Sequence, residues 1–364
     1  LFLAERVEFP NPNVKWERKQ DRNIGLDFGF WNNRIGGTFN YYWNTTRDLL
    51  GEMTTPYSYG RTSIKTNVSS LENTGWEFNI NFRFDLGKEV SWVNSFNIAQ
   101  NKNKITNTYI KNFEEFEEVN WNGSTANIEG YATGTIFGHR FAGVNPVTGN
   151  ATFYLTERAR EVWAEKKEVS IDQIPYVMED SKKEFDSSVM AASLVNLGTV
   201  NPKVTGGFTS TLTWKQLEVR LGFAYSVGHL LETFNEREYA PRGGGNGEVF
   251  ISRTNRLRTA MNRWRTPGDI TNTPRYSFAS NSYRQMLTDD KFEDADFLAF
   301  RDLTVSYDLQ GDWFKYIGLT RFRVGLQVSN VFVFTKYSGL DVTTGKPFNY
   351  PLPRTYMFNL SLGF

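Results

Sequence analysis

The last nine residues place an apolar side chain at every second position: Tyr356, Phe358, Leu360, Leu362 and Phe364 share one face, while Asn359, Ser361 and Gly363 lie on the other. A period of two means an extended strand whose faces meet different solvents. A greasy face that ends the chain on an aromatic residue is the pattern of a strand facing lipid in a membrane β-barrel.

The same pattern recurs along the chain as paired ribbons. The first pair, Arg22 to Trp31 and Arg34 to Asn44 about Asn32-Asn33, sets Ile24, Leu26, Phe28 and Phe30 against Gly25, Asp27 and Gly29. The second carries Trp76, Phe78, Ile80, Phe82 and Phe84, turns at Gly87-Lys88 and returns through Val90, Trp92, Phe96 and Ile98. The third runs Lys203 to Trp214 and Leu217 to Val227 about Lys215-Gln216, and the fourth begins near Phe297, turns between Gly311 and Gly318, and returns through Phe322 to Val328. Asn-rich or Gly-containing links suit tight hairpins. With the closing segment these make nine strands, close to the 9 to 11 residues that a tilted membrane strand needs.

Short turns follow the odd strands and long polar stretches the even ones, so turns gather at one rim and loops at the other. Bacterial barrels keep the short turns periplasmic, which predicts segments near 49–70, 109–200, 232–293 and 337–350 facing the medium. The aromatic side chains agree, since Trp and Tyr favour bilayer interfaces. Trp31, Trp92, Trp214 and Trp313 stand beside short turns, whereas Trp43, Trp76, Tyr225 and Tyr356 stand at the opposite ends.

Composition narrows the function more than the fold. No apolar run nears the roughly 20 residues of a membrane helix, and a mean hydropathy of −0.49 is what half-polar strands produce. A net charge of +1, from 41 Lys+Arg and 40 Asp+Glu, gives no basis for nucleic-acid binding. With no Cys and two His, His139 and His229, disulfides and thiolate metal sites are excluded, and no cofactor or metal is expected. Glu114 to Glu118 reads as a solvated acidic loop, Gly243 to Gly247 as a linker, and Thr156 to Val169 as a short loop helix. The basic run Arg253 to Arg265 reads as a loop helix with a solvated face. An outer-membrane protein must be exported, so a chain opening on Leu1 without a signal peptide is read as having a cut amino terminus.

Motifs in a fixed order give the pattern a family. Asn201-Pro202-Lys203-Val204-Thr205-Gly206-Gly207-Phe208 resembles the start of a late barrel strand in the SusC-like, RagA-like TonB-dependent transporters of Bacteroidetes. So do Asn11 to Glu17, Asn23 to Asp27, Gly138-His139 through Pro146 with Thr148-Gly149, Asn262-Arg263-Trp264 followed by Pro274-Arg275, Phe334 to Asp341, and Pro353-Arg354-Thr355. The resemblance implies an all-β fold: a transmembrane antiparallel β-barrel with long extracellular loops. The chain would supply the last nine or ten of about 22 strands, as the carboxy-terminal part of the barrel, without the plug and the early strands. It further implies TonB-dependent import of an oligosaccharide or peptide across the outer membrane, with a SusD-like surface lipoprotein capping the mouth. Outer-membrane lipid and TonB are then partners, TonB acting through the amino-terminal part. A self-contained small barrel acting as a surface enzyme or adhesin is the alternative, and an enzyme would need a catalytic constellation that the sequence does not display.

Two groups of residues are the candidate sites. Glu77, Asn79, Arg83, Arg220 and Arg323 alternate with the greasy positions and are expected to line the lumen or meet a plug through contacts that water can exchange. Trp121, Tyr131, Trp264, Tyr276 and Tyr283 lie in the expected outer loops, where flat rings suit ligand or partner contact. The same rings suit packing between loops.

Overall fold

The computed structural model describes residues 11–54, 63–109, 124–179, 187–232, 261–275, 286–311, 316, 318–346 and 349–364. Nine long strands form one antiparallel sheet in which every neighbour in space is the next long strand in sequence. They are β1 (Arg18–Phe30), β2 (Ile35–Thr54), β3 (Ser63–Leu86), β4 (Val90–Thr108), β5 (Val204–Trp214), β6 (Leu217–Val227), β7 (Phe297–Leu309), β8 (Arg321–Thr335) and β9 (Thr355–Gly363). Within this sheet, β1 and β9 each have a strand neighbour on one side only.

Register turns the alternation of each strand into two continuous surfaces. On one surface Leu26 faces Phe39, which faces Phe78, which faces Ile98. Further round, Leu212 faces Val219, then Val305, Leu326 and Phe358. Asp27, Thr38 and Asn79 form a row on the opposite surface. Phe358 is 83% exposed and Leu360 64% exposed. Such a broad apolar surface needs hydrocarbon rather than water against it. Bulky rings fill the gaps left by small residues: a Cβ on Gly37 would lie 2.6 Å from the Phe28 ring. Phe223 and Phe300 stack across β6 and β7 with ring centres 4.7 Å apart.

The turns differ in detail from the expected two-residue links. Four residues, Trp31 to Arg34, join Phe30 to Ile35, with Trp31, Asn32 and Asn33 all at positive φ. Three residues join Leu86 to Val90, with Gly87 at φ 71°. Only Lys215-Gln216 is a two-residue link, Lys215 having φ 53°. Asn and Gly bear left-handed backbone at little cost. Much of the stretch near 49–70, expected as loop, is strand instead, because β2 and β3 continue past the greasy section. A bulge at Asp48, φ 58°, interrupts them. The 11–17 segment is pinned to this extension: the Lys15 N–H donates to Asn67 Oδ1, and Glu17 Oε1 accepts from the Leu50 N–H.

The hydrophobic core lies in the loops rather than in the wall. Between β4 and β5, strands 140–144, 151–154 and 177–179 form one small sheet, and strands 124–126, 135–138 and 195–199 form another. Helix α1 (Glu157–Lys167) and helix α2 (Ser187–Ala192) pack Trp163, Val189 and Met190 against Phe153 and Met178. The expected loop helix within Thr156 to Val169 is α1; Thr156 Oγ1 accepts from the Ala159 N–H at its start.

One residue breaks the pattern of the wall. Asn94 lies on the apolar surface between Phe82 and Ser210, is 1% exposed, and neither its amide nitrogen nor its oxygen has a hydrogen-bond partner. An orphaned buried amide costs roughly 1–3 kcal/mol, so Asn94→Leu is expected to raise the temperature at which the assembled wall unfolds. A lower unfolding temperature in the same detergent would refute the orphan assignment.

Candidate functional site

The polar surface carries the expected lumen residues, and the structure brings some of them together. Glu77, Asn79 and Arg83 lie along β3 on one face, and Arg83 pairs with Asp85 at 3.0 Å. Arg323 of β8 reaches Glu218 of β6 at 2.8 Å, and its neighbour Arg321 reaches Asp308 of β7 at 3.2 Å. These four charges form a cluster near the short-turn rim. Arg220 stands exposed on the same face, apart from that cluster. With side chains 26% and 37% exposed, Arg323 and Glu218 stay wet, so the pair is individually weak and exchangeable.

At the loop rim a ladder of carboxamides lines the same face. Tyr42 Oη donates to Asn101 Oδ1, and both Asn101 and Asn103 donate to Asn73 Oδ1. Asn103 Oδ1 then accepts from the N–H and the hydroxyl of Thr133, at 2.8 and 2.9 Å. This ladder seats the 124–135 segment on the inner wall. Beside it opens a cleft of about 990 Å³, bounded by β4, the 130–135 and 196–203 segments, and His229. His229 is 7% exposed and its Nδ1 has no partner. Burial holds the imidazole below its ordinary pKa, with Asp296 pulling the other way.

The outer-loop aromatics divide into three groups. Tyr131 packs edge-on against Phe137, ring centres 5.1 Å apart, and also lines the cleft. Trp264 is a clamp: its Nε1 donates to the Pro146 carbonyl at 2.9 Å, and its ring fills the space where a Cβ on Gly149, φ 73°, would stand. Trp121, Tyr276 and Tyr283 lie outside the described residues, as do Trp313, Glu114 to Glu118 and Gly243 to Gly247. Of the basic run, Arg263 and Arg265 are described; the Arg265 N–H donates to Asp269 Oδ2 and its guanidinium to the Met261 carbonyl.

Sequence reasoning missed the groups that hold the loops together. Glu179 accepts hydrogen bonds from the side chains of Asn145, Thr148 and Asn150, closing the turn between two strands of the loop body. Asp341 caps the segment after β8 by accepting from the N–H groups of Thr343 and Leu352. Burial pushes its carboxyl up, but these hydrogen bonds outweigh burial and hold it below the usual range. Tyr337, 6% exposed, donates to the Glu232 carbonyl at 2.7 Å. Burial, reinforced by Glu293 and Glu232, pushes its hydroxyl up to about 12. A raised value means that the neutral hydroxyl stabilises the folded loop below the ordinary pKa of 10.0, and that this contribution is lost as pH climbs through about 12. Hydrogen exchange around Ser338 and Gly339 should therefore accelerate across that interval in wild type beyond the ordinary pH trend. Tyr337→Phe should lack this extra step, and an identical profile in both would refute the clamp.

A serine and a histidine also meet, 54 residues apart in the chain and without a local motif to mark the pair. His139 Nδ1 lies 2.9 Å from Ser193 Oγ, and that hydroxyl donates to the Met190 carbonyl. His139 is 0% exposed and Ser193 1% exposed, so a substrate has no path to the pair. It fixes the loop core.

With the wall and rim described, the likenesses to known proteins can be placed. No protein-family model matches the sequence. The TonB-dependent receptor P3 of Formosa agariphila is 26% identical over 348 residues, covering 92% of this chain and 31% of the receptor. SusC of Bacteroides thetaiotaomicron, also a TonB-dependent receptor, is 26% identical over 380 aligned positions, covering 100% of this chain and 33% of SusC. The chain thus spans about a third of the length of the curated relatives it matches. In fold it is similar to the RagAB peptide transporter, with a TM-score of 0.73 and 24% identity over 97% of this chain and 36% of the other. These relatives are receptors and transporters rather than enzymes. The two-faced wall, the ordered motifs and these likenesses make the chain similar, over about a third of their length, to the SusC/RagA-like TonB-dependent receptors of the outer membrane.

Proposed function

We propose that this chain is the carboxy-terminal portion of a barrel that imports a nutrient, an oligosaccharide or a peptide, across the outer membrane by TonB-driven transport. A SusD-like lipoprotein would seat on its loop rim. The observation that carries this reading is the continuous neighbour-to-neighbour pairing of nine strands that separates a hydrocarbon-facing surface from a wet, charged one. Two margins of the sheet have no strand beyond them among the described residues, and backbone groups left bare in a bilayer cost several kcal/mol each. Further strands alongside β1 and β9 would satisfy them and enclose the passage. The half-buried but wet Arg323–Glu218 pair then supplies a surface from which a plug can detach, because water replaces each lost contact.

The transport test is uptake of labelled oligosaccharides and peptides by cells with and without the gene. Uptake should be lost on deleting the gene, on depleting TonB and on collapsing the proton gradient. Uptake indifferent to TonB would sink the reading. Orientation is tested separately, because a chain without Cys accepts single reporters. Asp269→Cys should react with a membrane-impermeant maleimide on intact cells, and Asn33→Cys should react only after the membrane is breached.

A further inference from the structure

Above the row that pairs Gln100 with Val204, β4 continues to Thr108 whereas β5 has ended. The cleft of about 990 Å³ opens beside this upper part of β4. Alternation sorts its lining. Asn101 and Asn103 face the lumen and are already hydrogen-bonded in the carboxamide ladder. Lys102 and Lys104 continue the outer face of Phe96, Ile98 and Gln100, whereas Lys203 stands opposite Asn101 and packs over Gly228 on the lumen side. All three lysines are exposed and make no ion pair among the described residues. Two acids stand near: Asp294 in the lining, and Glu72, which faces Lys104 across the strands and accepts from the Thr74 hydroxyl. Of the three lysines in the lining, Lys102 and Lys104 share the outer face, where Glu72 stands opposite Lys104.

Height decides what can reach these cations. Trp76 Nε1 donates to Gln100 Oε1, so Gln100 sits in the upper aromatic girdle. Lys102 lies two residues beyond it, about 7 Å along the strand, at the level where lipid headgroups begin. Arg22 and Arg47 extend the positive outer face onto β1 and β2, Arg22 directly opposite the girdle residue Trp43. A cargo inside the barrel would meet the occupied carboxamides and Lys203 rather than Lys102 and Lys104. The unpartnered Nδ1 of His229 adds a buried polar atom in the same lining.

We propose that the outer side of this cleft binds the phosphorylated headgroup of an outer-leaflet lipid, held by Lys102 and Lys104. The assignment rests on the loop rim facing outward, which the maleimide pair above tests independently. Full-length receptor in neutral detergent is titrated with monophosphoryl lipid A in mixed micelles and read by native mass spectrometry. Wild type should retain the lipid. Each single change, Lys102→Gln or Lys104→Gln, should weaken retention about fivefold, and the two together about 25-fold. Lys215→Gln, at the opposite rim, should bind as wild type does, and the dephosphorylated lipid should bind to none of them. The single variants keep the comparison meaningful if the double variant fails to assemble. Equal retention by wild type and the lysine variants would overturn the proposal. So would lysine-dependent binding of a soluble uronate oligosaccharide in place of the lipid, which would assign the cleft to cargo.

Discussion

Replacing Phe358 or Leu360 by Arg is expected to cost roughly 2 to 4 kcal/mol and to remove most assembled protein from the outer membrane. Both side chains project from the middle of β9 on the apolar surface, 83% and 64% exposed and paired in register with Leu326 and Val324. A guanidinium there meets hydrocarbon with no counter-charge within its row. The internal control is Asn359→Arg, one residue away and on the polar surface opposite Gly325, where water solvates the new charge. Heat-modifiable migration of the membrane fraction separates the outcomes. Normal assembly of Phe358→Arg, or equal damage from Asn359→Arg, would contradict the assignment of faces.

A comparably large effect, confined to the loops, is expected from Glu179→Ala. One carboxylate there satisfies three side chains, with Asn145 at 3.0 Å and Thr148 at 2.7 Å among them. Bonds to a charged acceptor contribute about 1.5–3 kcal/mol each, and removing the acceptor strands its donors. A local loss of about 3–5 kcal/mol should follow, opening the 145–150 turn and releasing the Trp264 ring that rests on Gly149. Hydrogen exchange at the Gly149 N–H, which bonds to the Asn145 carbonyl at 2.8 Å, should rise by orders of magnitude while the wall still assembles. Unchanged exchange there would show that the carboxylate is dispensable.

The wall was legible because two solvents imprint a period of two on it. Leu217 to Val227 alternates from end to end, and β6 has those same bounds. Legibility stopped where the second solvent stops. In β2 beyond Asn44 both faces meet water, so Thr45, Thr46 and Arg47 show no alternation and fall beyond the strand end that the pattern predicts, although they are paired strand. The site was less legible than the fold. Glu77, Asn79 and Arg83 follow from parity, and so does the shared face of Arg323 and Glu218, but their 2.8 Å contact depends on register across three strands. Trp264 looked like a ligand platform because its partner Gly149 lies 115 residues earlier (264 − 149), a closeness that only the folded loops create. Glu179 carried no local mark of its hub role, since its partners sit 29 to 34 residues away.

The loop body between Thr108 and Val204 owns a dry interior of Phe153, Trp163 and Met178, and it leaves and rejoins the wall on adjacent strands that share eleven rungs. An appendage that supplies its own interior makes few demands on the scaffold. Related receptors could exchange this stretch as a cassette, changing what the mouth meets while the staves beneath keep their places.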